Sequence, residues 1–188
     1  MDLKNHNKAA WDNYVAKKDR WTIPVSSKTL EEAQQGKWEV VLTPTQPVPH
    51  HWFPNLKGLK VLGLASGGGQ QGPILATLGA EVTIFDNSPK QLLQDQTLSE
   101  KHDLKIRTVQ GDMRDLSVFS DQSFDVVFNP CSILFVDQLD KVWQECFRVL
   151  KPNGILMTGL INPISFQLDE EDLKLVYKQP FSALHSLS

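Results

Sequence analysis

The sequence is short of cysteine and tyrosine and has no basic block and no long apolar run. Each shortage closes off a class of protein. Two cysteines, Cys131 and Cys146, in 188 residues build neither a disulfide framework nor a zinc-type ligand spacing. A reducing compartment, and so a cytoplasmic protein, is the simplest expectation. No apolar stretch approaches the roughly 18 residues needed to cross a bilayer, and Met1 to His6 lacks the apolar core of a secretion signal. A formal charge of -3, with Lys and Arg scattered, gives no electrostatic footprint for nucleic acid. Neither a membrane nor a nucleic acid is an expected partner. His50 and His51 are adjacent and have no Cys or Glu at ligand spacing, so no metal site is expected either.

What is present is an ordinary globular composition, with 40% hydrophobic residues and 11 glycines in one domain's length of chain. Residues 1–58 read as a helical arm. Ala9, Ala10, Trp11, Tyr14 and Val15 recur at helical spacing, predicting an amphipathic helix over Asn7–Lys18. A second helix is expected over Lys28–Glu39, behind the capping candidates Ser26 and Ser27. Pro44, Pro47, Pro49 and Pro54 exclude a regular helix or an interior strand over 43–54, which makes that stretch an ordered connector or lid. Residues 161–188 are less regular. A strand over Leu173–Lys178 and a helix opening at Asp169–Asp172 are both open readings.

Between these, residues 59–160 alternate apolar strands (60–64, 81–85, 106–109, 124–128, 155–160) with helices (70–78, 88–102, 138–150). That alternation predicts an α/β domain with a parallel sheet and right-handed crossovers. The stretch that organises it is Lys60-Val-Leu-Gly-Leu-Ala-Ser-Gly-Gly-Gly-Gln-Gln-Gly-Pro73, a buried strand, a glycine turn and a helix. Glycine accepts positive φ there and lets a ligand approach the backbone. The unpaired N–H groups opening the helix favour a nucleotide-like or carboxylate-bearing ligand. Ligands in such sheets sit beyond the carboxyl ends of the strands. Those ends carry Ala65–Gly69, Asp86, Asp112 with Met113, and Asn129 with Pro130. Asp86 can accept from two ribose hydroxyls and Asp112 from an exocyclic amine, because ionised carboxylates only accept.

Five stretches, in this order and spacing, resemble the class I S-adenosylmethionine-dependent methyltransferases: Val-Leu-Gly-Leu-Ala-Ser-Gly-Gly-Gly (61–69), Val-Thr-Ile-Phe-Asp-Asn-Ser (82–88), Gly-Asp-Met-Arg-Asp-Leu (111–116), Phe-Asp-Val-Val-Phe-Asn-Pro (124–130) and Phe-Arg-Val-Leu-Lys-Pro-Asn-Gly (147–154). The resemblance implies a Rossmann-like, doubly wound, mostly parallel sheet of core-strand order 3-2-1-4-5 with helices on both faces. It implies S-adenosylmethionine as cofactor and a small-molecule acceptor with an O, N or C nucleophile. Gly63, Ala65, Ser66, Gly67 and Gly69 would then lie at the cofactor, with backbone at 65–67 along its methionine part. Asp86 would hold the ribose, Asn87 would lie beside the adenine, Asp112 and Met113 would flank it, and Asn129 would face the methionine or the acceptor.

Two positions depart from the family pattern: Gly63 stands where an acid is usual, and Ala65 where a glycine is usual. Cys131 and Ser132 replace the Pro-Tyr of an Asn-Pro-Pro-Tyr signature, so Asn129-Pro130 does not imply amine chemistry. The 28 residues after Leu160 are too few for the family's two remaining strands with a helix between, so 161–188 reads either as a truncated C-terminal extension, which would leave a free edge on the fifth strand for pairing between two copies, or as a different completion of the sheet. Gly67-x-Gly69-x-x-Gly72, with Asp86 19 positions after Gly67, also satisfies a dinucleotide fingerprint, so an NAD-dependent oxidoreductase is a rival reading and a non-catalytic cofactor-binding module a third. Moving a sulfonium methyl needs alignment and exclusion of water more than an acid or base. Asn129 and His51 remain the candidate catalytic side chains. Trp11, Tyr14, Trp21 and Trp52 are the candidate lid, although packing of the arm onto the sheet explains the same aromatics. Cys131 reads as a buried small hydrophobe before a substrate contact.

Overall fold

The computed structural model describes residues 2–44, 46–162, 168, 174 and 175. Helices α1 (Leu3–Lys17) and α2 (Ser27–Gln34) and the strands β1 (Val41–Thr43) and β2 (Gln46–Pro47) form the arm. Then follow β3 (Lys60–Leu64), α3 (Gln71–Thr77), β4 (Glu81–Asp86), α4 (Pro89–His102), β5 (Ile106–Gln110), β6 (Phe124–Asn129), α5 (Leu139–Val149) and β7 (Leu150–Thr158). The five core strands lie in the order β5-β4-β3-β6-β7, every neighbouring pair parallel. That is the expected 3-2-1-4-5 order, and it puts the topological switch between β3 and β6, at the end of the glycine stretch.

Alternation along the strands divides the core in two. Val61, Val82, Ile84, Val126 and Phe128 face α2, α3 and α4. Leu62, Leu64, Phe85 and Val127 face α5 and the Leu116–Phe119 segment. Burial on both faces is why these strands read as nearly continuous apolar runs. The arm enters the first of these cores through Leu30, Ala33, Val40, Leu42 and Val48.

Local chemistry sets the element ends. Ser88 caps α4 by accepting the Gln91 N–H at 3.1 Å, with Pro89 in the first turn. Helix α1 begins earlier than Asn7, at Leu3, because Asp2 accepts the Asn5 N–H. Helix α2 stops at Gln34 instead of Glu39. Gly36 takes φ +83° there, and Trp38 leaves the helix to stack on His50 with ring centroids 3.9 Å apart. The proline-rich stretch closes as a two-stranded hairpin, with Pro47 on the short strand β2 and not inside the main sheet. The Lys151–Gly154 turn lies within β7: Leu150 pairs with Phe124 and Ile155 with Val126, so four residues bulge opposite one.

Among the described residues β7 is paired on one side only, leaving Leu156 and Leu160 exposed at that edge. The helix considered for 169–172 lies outside the described residues. Of 173–178 only Lys174 and Leu175 are described, Leu175 making an isolated antiparallel bridge with Leu168. No helix among the described residues is long and apolar enough to cross a membrane.

The hairpin docks on the carboxyl ends of β6 and β7. Cys131 Sγ donates to the Leu42 carbonyl at 2.9 Å, and the Val41 N–H donates to Gln71 Oε1 at 2.9 Å. A Cβ on Gly159 would collide with the Leu42 carbonyl. Gly159→Ala is therefore expected to cost about 1–3 kcal/mol through a displaced hairpin. Urea unfolding, with amide exchange of Val41 and Leu42 as the local readout, checks this.

Candidate active site

The glycine stretch turns sharply at the end of β3. Ala65 takes the left-handed conformation, φ +46°, and donates its N–H to the Phe85 carbonyl at 2.7 Å. Gly68 and Gly69 follow at φ +117° and +69°, conformations that side chains rarely adopt. Gly67 is fixed by space: a Cβ there would stand 2.9 Å from Gln91 Cβ and 3.1 Å from Asp86 Oδ2. At Gly63 a Cβ would lie 2.6 Å from both Ile84 Cδ1 and Ser66 Oγ. Where the family's usual acid would stand, the Ser66 and Ile84 side chains fill the space.

The N–H groups of the turn are not free. Gly67 donates to Asp86 Oδ2 at 2.9 Å and Gly68 to Asp95 Oδ2 at 2.9 Å, and Gly69 also hydrogen-bonds to Asp95. These are not the N–H groups that open α3, which are expected from the sequence to hold an anionic group; α3 has no side-chain cap at Gln70. Two carboxylates occupy the donors that a pyrophosphate would need, and they place negative charge beside the turn. Negative charge beside the turn suits a ligand that bears a cation better than one that brings a pyrophosphate there.

Asp86 ends β4 and accepts from the Ser88 and Gly67 N–H groups, both at 2.9 Å. Burial pushes its carboxyl above the ordinary range, against those hydrogen bonds. Two N–H donors leave acceptor capacity on the carboxylate for a diol. Beside it, Asn87 donates Nδ2 to the Lys4 carbonyl at 2.6 Å, while its Oδ1 is buried without a partner. Ser66 Oγ is likewise buried and unpartnered. Two orphaned acceptors next to a vacant diol acceptor suit a nucleoside rich in donors.

Asp112 lies in a fork with Arg114, whose Nε and Nη2 reach both of its oxygens, while Arg114 Nη1 holds Asp137 at 2.8 Å. Burial would raise the Asp112 carboxyl, but the Arg114 hydrogen bonds hold it below its ordinary value. It stays ionised and can accept further bonds. Met113 packs on the second core. Asn129 is fully buried. Its Nδ2 donates to the Leu64 carbonyl and Ser132 Oγ, and its Oδ1 accepts from Thr158 Oγ1. It thus fastens the ends of β3, β6 and β7 together, with both donors engaged in the scaffold.

Helix α1 crosses these strand ends. Asp12 accepts from Ser88 Oγ at 2.7 Å, and Asn7 Nδ2 donates to the Phe135 carbonyl at 2.7 Å. Trp11 meets Phe135 edge to face, with centroids 5.8 Å apart. Of the four lid aromatics, Trp11 reaches a strand-end turn and Tyr14 packs beside it. Trp21 lies beneath the Arg20 guanidinium, and both Trp21 and Trp52 are exposed. His50 bonds the Trp38 carbonyl through Nε2, whereas His51 is exposed and no contact among the described residues ties it to the strand ends. No group of three or more His, Cys, Asp or Glu side chains suited to a metal occurs among the described residues.

Sequence reasoning missed Asp12 and Asp95. Asp95 was findable, since Gln91, Leu92, Asp95 and Leu98 fall at helical spacing on the buried face of α4. An acid on an inward face is the signal.

The profile of the "Methyltransferase domain" family matches residues 62–158. The chain is 52% identical over 169 residues to the uncharacterized methyltransferase YbaJ of Bacillus subtilis (strain 168), covering 90% of this chain and 66% of that protein. Among solved structures, an arsenic (III) S-adenosylmethionine methyltransferase from Chlamydomonas reinhardtii is 26% identical with a TM-score of 0.52, over 68% of this chain and 46% of that one. An S-adenosylmethionine dependent methyltransferase from Mesorhizobium loti has the same fold, with a TM-score of 0.56 at 22% identity over 63% of this chain and 54% of that one. The chain thus spans just under two thirds of the Bacillus relative and about half of each solved structure.

The left-handed Ala65 makes a direct test of the turn. Ala65→Gly is expected to stabilise the chain by about 0.5–1 kcal/mol, since an L side chain in that conformation costs about 1–2 kcal/mol and glycine's added chain entropy returns part of it. Equilibrium urea unfolding measures the difference.

Proposed function

The chain belongs to the methyltransferase-domain family, and from that premise we propose that it moves a methyl group from S-adenosylmethionine to an O, N or C nucleophile of a small acceptor. The observation that carries the cofactor reading is the pairing of the Gly67, Gly68 and Gly69 N–H groups with Asp86 and Asp95, which gives the turn the sign that suits a sulfonium and ammonium ligand. The cofactor brings a methyl group already activated by its sulfonium.

The residues supply holding and enclosure. Asp86 accepts from the ribose hydroxyls, Asn87 Oδ1 takes a donor from the nucleoside, and Asp112 accepts from the adenine amine. Backbone at Ala65, Ser66 and Gly67 follows the methionine part. Helix α1 on one side and the β1–β2 hairpin on the other wall the strand ends against water, which strengthens every charge interaction inside. No general base is assigned: Asn129 is committed to the scaffold and His51 is exposed. The acceptor enters between α1 and the hairpin, where Cys131 and Trp11 stand, so these segments set its identity. Cys131 and Cys146, both free thiols, fit a cytoplasmic setting.

Calorimetric titration with S-adenosylmethionine, S-adenosylhomocysteine and NAD tests the reading. The first two are expected to bind and NAD not to. Asp86→Ala is expected to weaken them about 10- to 100-fold, the usual worth of hydrogen bonds to a charged group. Binding of NAD alone overturns the proposal.

A further inference from the structure

Asp95 holds the turn together with Asp86 but, unlike Asp86, has no assigned contact with the cofactor. It is fully buried, at 0% exposure, on the face of α4 that also buries Gln91, Leu92 and Leu98. Its Oδ2 accepts from Gly68, and Gly69 supplies a further bond. Its Oδ1 has no partner and lies 3.5 Å from where a Cβ on Gly72 would stand. None of the ion pairs among the described residues includes it. A buried carboxylate with one orphaned oxygen and no cation is costly to ionise.

We propose that Asp95 is the positioning residue of the glycine turn and the counter-charge for a cationic cofactor, supplying from α4 the negative charge that β3 lacks at Gly63. This rests on the cofactor reading above and extends it to one residue. The space argument explains the relocation. A side chain at Gly63 would strike Ile84 and Ser66, while α4 delivers an acid to the Gly68 N–H at 2.9 Å. Fixing Gly68 and Gly69 in their positive-φ conformations aligns the backbone along which the methionine part lies.

A protonation consequence follows. Burial and the neighbouring Asp86 push the Asp95 carboxyl up to about 7, against the loop hydrogen bonds. Asp86 is the acid that faces it. Helix α3, the turn from Ala65 to Gln70 and the segment Ile23–Val25 that packs on Gly69 carry no titratable side chain. Asp12 acts on Asp86 in turn, and so reaches Asp95 only indirectly. In the free protein Asp95 is half protonated near neutrality. A bound sulfonium favours the ionised form, so binding releases a proton, and affinity rises as pH rises through 7. S-adenosylhomocysteine lacks the sulfonium charge and releases less. For folding the sign is opposite. A carboxyl raised above its unfolded value contributes stability that is lost as pH rises between about 4 and 7.

The test is calorimetric titration of the full chain with S-adenosylmethionine and S-adenosylhomocysteine near pH 6 and near pH 8, in buffers of different ionisation heat. Wild type is expected to bind S-adenosylmethionine about fivefold more tightly at the higher pH, the change between these two pH values for a one-unit fall in the carboxyl's pKa, with a smaller change for S-adenosylhomocysteine. Asp95→Asn is expected to flatten the profile at the weaker value, while thermal melts of the free variant gain on wild type as pH rises. A merely structural role would weaken both ligands alike and lower the melting temperature at every pH, and that result overturns the inference. So does wild type that binds S-adenosylmethionine without proton release, a measurement that needs no variant. Wild type that binds neither ligand at any pH fails the cofactor reading itself and takes this inference with it.

Discussion

The carboxylates of Asp86 and Asp95, holding the N–H groups of Gly67, Gly68 and Gly69, are the contacts on which the rest of the site depends. A turn with two consecutive glycines at positive φ has little intrinsic preference for one shape. Without partners its amides would be satisfied by water and the loop would sample many conformations. The two acids come from different elements, the end of β4 and the interior of α4, so the turn is pinned to the sheet and to the helix layer together. The same hydrogen bonds that order the turn decide the sign of ligand it accepts.

The arm is assembled around that turn. Val25 donates its N–H to the Gly69 carbonyl at 2.9 Å, and Gln70 Nε2 donates to the Ile23 carbonyl. The hairpin reaches Gln71 through Val41, and α1 reaches the cap of α4 through Asp12 and Ser88. Burial alone would raise the Asp12 carboxyl, but the hydrogen bonds from Lys8 and Ser88 hold it below its ordinary value, so this latch stays ionised at neutral pH. Helix α1, the Ile23–Val25 segment and the hairpin therefore form a strap over the strand ends, tied at α3, at α4 and at the turn after β6. Its apolar residues enter the same core as the sheet.

How far the sequence predicts this structure varies by element, for physical reasons. The five core strands follow from apolar runs alternating with helices, because a sheet covered on both faces leaves a strong signature, whereas their order is what the family resemblance implies. Ser88 and Pro89 mark the start of α4 through local rules that need no tertiary knowledge, whereas the sequence alone runs α2 past Gly36 to Glu39. The hairpin at 41–47 is not legible in that way. Its pairing depends on docking against Gly159 and Cys131, more than 80 residues away. Asp86 and Asp112 stand at strand ends and announce themselves. The commitments of Asn129 to Leu64, Ser132 and Thr158, and of Asp112 to Arg114, appear only when distant strands come together.

Gly63 shows how one substitution propagates. A glycine in the middle of a central strand weakens it unless something uses the space. Here Ser66 folds back from the turn into that space and Ile84 fills the rest. Ser66 Oγ is left buried without a partner, a cost of about 1–3 kcal/mol that neither Ile84 nor β3 relieves. A bound ligand that donates hydrogen bonds would satisfy it, together with Asn87 Oδ1, and a cation on that ligand would offset the charge of Asp95. Three separate deficits, two orphaned acceptors and one unpaired acid, thus surround a single glycine turn. A ligand that donates hydrogen bonds at one end and carries a positive charge at the other relieves all three. A phosphate-bearing dinucleotide, which the glycine spacing in the sequence admits, brings the same adenosine donors but adds a pyrophosphate's negative charge beside two carboxylates that already hold the turn's amides. What separates the two readings is therefore which side chains have already claimed the glycines' amides.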